Sequence, residues 1–117
     1  MNPHNLLAAA FLVLVSLCTE TTRFRVEPKD GTGNDWIIVI HDGWRFDVFM
    51  DVGEPDYMNG MTGPGGLKVI FHPDPEKAVP PGLDAAWDAI FTNLIRMSKI
   101  AERVTAACRV HPDWPFS

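Results

Sequence analysis

The sequence predicts an α+β domain in the order α-β-β-β-β-α, a four-stranded antiparallel sheet packed with an N-terminal and a long C-terminal helix. Three observations predict it. Leu6–Cys18 is an uncharged apolar run, and Leu83–Val110 repeats apolar residues at helical spacing. Between them lie four short segments with strand patterning and hairpin-length connections. The 117 residues suit one domain, 1–117. A chain of this size buries roughly two-thirds of its surface on folding without metals or disulfides. With 46% hydrophobic and 21% charged residues, wholesale disorder is excluded.

The first helix is expected over residues 3–18. Asn2 followed by Pro3 is a good start, a capping side chain and then proline in the first turn. The apolar run falls short of the roughly 20 residues a membrane span requires. Its length also suits a secretion signal, but Met1–Asn5 carries no Lys or Arg, and small residues for cleavage are poorly placed. A helix apolar all round implies burial on most sides. The expectation is therefore a retained core helix in a cytoplasmic protein; the alternative is a secreted or periplasmic domain released after residue 18. Cys18 and Cys108 are expected as reduced core thiols.

Strands are expected at 21–28, 36–41, 44–51 and 67–72. Phe24 and Val26 alternate with polar neighbours, and Asp30–Asn34 supplies turn residues. Trp36–His41 is apolar on both faces, as a central strand covered on each side would be. Asp42-Gly43 signals a two-residue type I′ hairpin. In the next strand Trp44, Phe46, Val48 and Met50 share one face, and Arg45, Asp47, Phe49 and Asp51 the other. Val52–Gly66 reads as a long loop of mobile or functional character, and the segment from Pro75 to Gly82 as a Pro-rich connection.

The closing helix is expected over 83–110. Leu83, Trp87, Ile90, Leu94, Met97, Ala101 and Cys108 form its apolar stripe, with Arg96, Lys99 and Arg103 opposite as a solvated face. Pro112 and Pro115 end it, leaving a tail at 111–117.

Charge is unevenly spread. Residues 30–56 carry seven acids against Arg45 alone, a net −6, which exceeds the −5 of the whole chain. Such acidity argues against gripping phosphate backbones and favours a basic protein partner. Chemistry is poorly marked by comparison. The His and Cys spacings match no zinc pattern, and a calcium site on Asp42, Asp47, Asp51 and Glu54 lacks the helix-loop-helix spacing. No nucleophile elbow, dinucleotide fingerprint or phosphate loop is present. The two His-Pro-Asp triplets, at 72–74 and 111–113, read as chain punctuation.

The expected function is thus a small acidic non-catalytic binding protein that neutralises a macromolecular partner by covering its surface. Phage anti-defence (anti-CRISPR-like) inhibitors and toxin-immunity proteins are objects of this physical type. The expected partner-binding residues are Asp42, Asp47, Asp51, Glu54, Asp56, Tyr57, Met58 and Met61. No cofactor, metal, direct nucleic-acid contact or membrane span is expected. A second copy of the chain, covering the two-faced strand Trp36–Ile40, is a further candidate partner.

Overall fold

A computed structural model of the chain describes residues 3–19, 22–40, 43–51, 53–71 and 85–115. Helix α1 (Pro3–Val15) runs into a 3-10 turn (Ser16–Cys18). Five strands follow: β1 (Phe24–Pro28), β2 (Asp35–Ile40), β3 (Trp44–Asp51), β4 (Glu54–Thr62) and β5 (Lys68–Ile70). The chain closes with α2 (Ala85–Ile95) and α3 (Ser98–Arg109). The strands form one antiparallel meander in the order β1-β2-β3-β4-β5. The α+β class and the antiparallel sheet agree with expectation. The strand count does not, since the described residues form five strands rather than four.

The missed strand is β4, which replaces the expected loop at 52–66. Asp47 pairs with Gly60 but Val48 pairs with Met58, so Asn59 is an extra residue; Phe49 pairs with Tyr57 but Met50 with Pro55, so Asp56 is another. Each bulge inserts one residue between core-facing positions. The core-facing side chains Pro55, Met58 and Met61 therefore recur every three positions instead of every two. That spacing, with Pro55 and Gly60 in the segment, conceals a strand from a test for alternation.

One face of the sheet carries the helices. Trp36, Ile38, Ile40, Phe46, Val48 and Met50 are buried there, together with Met58, Met61 and Val69. The face assignment in β3 holds as expected. Helix α1 contributes Leu6, Leu7, Ala10 and Leu14, and the 3-10 turn contributes Leu17, all at most 1% exposed. Gly63 allows this approach, because a Cβ there would collide with Leu6 Cδ1. Burial is one-sided nonetheless, as Leu12 on the outer face of α1 is 70% exposed. No helix among the described residues is long and apolar enough to cross a membrane.

The single helix expected at 83–110 is two helices. Met97 is extended (φ −62°, ψ 136°), and the N–H groups of Arg96 and Met97 donate to Asn93 and Leu94, tightening the end of α2. The break resets the apolar stripe. Phe91, Leu94 and Ile95 are buried from α2, and Ile100, Val104 and Cys108 from α3, while the expected stripe members Ile90 and Met97 are exposed. Leu83, also expected there, lies outside the described residues.

The described turns follow sequence chemistry. Asp30 accepts bonds from the Thr32 N–H and hydroxyl, an Asx turn, and these bonds lower its pKa. Ile40 pairs with Trp44, and Gly43, just before that strand, takes φ +90°; the expected Asp42-Gly43 turn falls partly outside the described residues. His41 and Asp42 lie outside the described residues, as does the His-Pro-Asp triplet at 72–74. In the triplet at 111–113 the N–H of Asp113 donates to His111 Nδ1, a local turn as expected. Both cysteines are free, and burial pushes the Cys108 thiol up to about 12, as suits a core position.

Arg103 departs most from its expected role. Instead of lying on a solvated face, it donates to three backbone carbonyls, Leu17, Thr19 and Thr22, each at 2.7 Å. Its guanidinium also lies 5.0 Å from the centre of the Phe24 ring. It thereby fastens α3 to the end of α1 and the start of β1.

Candidate binding surfaces

Among the described residues the sheet face away from the helices is open. Register places its side chains in rows that cross the strands. The first row is Arg25, Val39, Arg45, Thr62 and Lys68, and the second Glu27, Ile37, Asp47, Gly60 and Ile70. Asp35, Phe49 and Tyr57 form a third, and Asp51 and Glu54 close the face. Cations thus stand at one end and carboxylates at the other. Strand β2 was expected to be covered on both sides, but among the described residues no other layer packs on its second face. Val39 is still buried, because it lies between Arg25 and Arg45, whose stems are long enough to shield it.

A depression of about 510 Å³ lies in the middle of this face. It forms where Gly60 offers no side chain, and none would fit, since a Cβ there would collide with the Val69 carbonyl oxygen. One wall is the Phe49–Tyr57 stack, with ring centres 4.9 Å apart and planes 13° from parallel. Beside it the Asn59 amide donates to Asp35 at 3.1 Å and to Asp47 at 3.3 Å. Burial, with the Asp47 charge next, raises the Asp35 pKa. Lys29 pairs with Asp47, a contact that raises the lysine pKa. Arg45 pairs with Glu27 at 2.6 Å and, with Arg25, lowers that carboxyl's pKa. Carboxylates in the centre of the open face are therefore largely answered within the chain.

A second surface lies at the end of the sheet beside α3. Asp51, Glu54 and Asp56 meet Glu102 of α3 around a groove of about 880 Å³, which Arg96 and Arg109 also border. None of these four carboxylates takes part in an ion pair or side-chain hydrogen bond among the described residues. Asp51, Glu54 and Glu102 are exposed, and Asp56 is half-buried.

The expected partner-binding residues consequently separate. Asp51, Glu54 and Asp56 come together at the groove. Asp47 and Tyr57 sit on the open face, with Asp47 held by Lys29 and Asn59. Met58 and Met61 are 0% and 2% exposed in the core, so the expectation that they offer apolar contact area is corrected: β4 turns both inward. Asp42 lies outside the described residues. Of the tail aromatics, Trp114 folds back on Trp36, whose indole N–H donates to the Gly33 carbonyl at 2.9 Å; Phe116 lies outside the described residues. Sequence reasoning missed Glu102 as a groove member, because only the packing of α3 brings it beside the hairpin. It also missed Asn59, since a bulge residue carries no periodic signal.

Among the described residues no three His, Cys, Asp or Glu side chains converge as metal ligands would. Fold and surfaces together define a one-sided α+β layer domain, with an open sheet face and an acidic end groove. Comparison with protein-family models, curated proteins and solved structures gave no match.

Proposed function

We propose that the chain is a non-catalytic binding protein that neutralises a macromolecular partner by covering a basic part of its surface, and that the acidic end groove makes the contact. The observation that carries this reading is the gathering of Asp51, Glu54, Asp56 and Glu102 with no ion pair among the described residues. Carboxylates left unneutralised raise the local negative potential and speed encounter with a cationic surface. Inhibition by occlusion needs nothing more than such a contact. The core position of α1 supports a protein that works with residues 3–18 in place.

Capture from host lysate at low salt and at about 0.5 M salt tests the reading, because the Debye length at the higher salt is only about 4–5 Å. A single basic protein, retained at low salt and weakened at high salt, is expected. Asp56→Lys with Glu102→Lys should lose it, since these residues stand on different elements around the groove. Retention of the same partner by that double variant, or no specific partner at either salt, overturns the reading.

A further inference from the structure

The open sheet face carries a separate inference, although Asp51 and Glu54 at its end also border the acidic groove. We propose that this face is the interface of a homodimer, formed by two copies stacked sheet to sheet through a half-turn about an axis lying across the strands. Three features point to a second copy of the chain as the occupant.

The first is charge. Arg25, Arg45 and Lys68 occupy one end of the face, while Asp35, Asp51 and Glu54 lie toward the other. A half-turn across the strands lays each end over the opposite end of the second copy. With the axis level between Asp47 and Phe49, Arg45 meets Asp51 of the second copy. Glu27 then meets the second copy's Lys29. Stacked sheets cross at about 30°, so the match is closest on the central strand β3, where Arg45 and Asp51 lie.

The second feature is shape. The same half-turn sets Tyr57 of one copy over Gly60 of the other, where the face is indented for want of a side chain. The indentation and the aromatic stack beside it then act as socket and plug, and the two-fold repeats the contact. Ile37 lies in the same row as Gly60 and comes near the axis, adding apolar surface beside the Phe49–Tyr57 stack. A self-complementary patch of this kind is what an isologous contact requires.

The third feature is size. Five strands at about 4.8 Å spacing and about six residues at about 3.4 Å rise give a face of about 500 Å² per copy. Two such faces sum to about 1,000 Å², the lower bound for a specific interface, which points to a dimer of moderate affinity. The product is a four-layer stack, helices outside and two sheets within.

Sedimentation of the full chain over about 5–500 μM, at 0.05 and 0.5 M salt, tests the proposal. Wild type should approach twice the 13.0-kDa chain mass as concentration rises, and dissociate more readily at high salt. Arg45→Asp and Asp51→Arg should each weaken the dimer at least about tenfold, and the two together should recover most of the loss. Ile37→Asp should give monomer, whereas Leu12→Asp, on the outer apolar face of α1, should leave the dimer intact. A wild-type chain that stays monomeric at about 500 μM overturns the proposal. So does dissociation by Leu12→Asp but not by Ile37→Asp, or a charge-exchanged double variant that melts like wild type yet does not reassociate. The wild-type salt series involves no variant, so it decides the charge argument even where a substitution fails to fold.

Discussion

Replacing Arg103 by Met should lower stability by about 3 kcal/mol, although neither the charge pattern nor the helical stripe marks this residue as structural. Arg103 donates to the carbonyls of Leu17, Thr19 and Thr22, and the bonds to Leu17 and Thr22 are partly shielded from water. Hydrogen bonds to charged groups contribute about 1.5–3 kcal/mol each. The two shielded bonds at the low end of that range supply about 3 kcal/mol, and the exposed bond and the Phe24 ring add less. Met keeps most of the apolar stem and removes only the guanidinium, so the loss is assigned to the bonds rather than to packing. For 117 residues the unfolding entropy is about 0.25 kcal/mol/K, so the melting temperature should fall by about 12 °C. Thermal unfolding followed by circular dichroism at pH 7 measures it. Arg103→Lys should fall between the two, because one ammonium cannot span three carbonyls. Salt should change the difference little, since the acceptors are neutral. A Met variant melting within about 2 °C of wild type would refute the reasoning, and α3 would then be held by its apolar stripe alone.

Two further outcomes follow from the sheet. Gly60→Ala should cost about 3 kcal/mol in urea unfolding, because its Cβ meets the backbone carbonyl of Val69 and β5 has to shift; a cost below about 0.5 kcal/mol would mean that the β4–β5 ladder adjusts freely. Asp35 titrates above its unfolded value, so its contribution to stability is fully present below the unfolded pKa and is lost as pH rises through the folded pKa. Asp35→Asn keeps an acceptor for Asn59 and removes the charge facing Asp47. The variant should be more stable than wild type at pH 7, and its advantage should shrink on acidification through the carboxylate range. An advantage that grows as pH falls would contradict the assignment.

The legibility of each element followed from how local its cause was. The pattern of β3, with Trp44, Phe46, Val48 and Met50 inward, follows from two-residue alternation alone, and its span matches expectation. The Asp30–Asn34 turn and the punctuation at His111–Asp113 likewise depend on side chains bonding their own neighbours. In β4 the two bulges changed the period from two to three, and a bulge is defined by the partner strand. The break at Met97 was hidden for a related reason. Its residues suit a continuous helix, but α2 packs against α1 and β4 whereas α3 packs against the 3-10 turn, β1 and β4, and those partners are set by the fold.

The candidate surfaces divide in the same way. The concentration of the chain's acidity in residues 30–56 is plain from the residues, because net charge depends on composition and on nothing else. Whether a given carboxylate is answered within the chain is a matter of a few ångströms across elements. Packing brought Lys29 to Asp47 and Arg45 to Glu27, which neutralised the centre of the open face. It left Asp51, Glu54 and Asp56 beside Glu102, a residue about 46 positions further along the chain. The same packing turned Met58 and Met61 into core and Arg103 into a clasp. Alternation, turns and overall charge are properties of neighbours in sequence; ion pairing, burial and the division of one acidic segment between two surfaces arise from neighbours in space, which packing alone brings together.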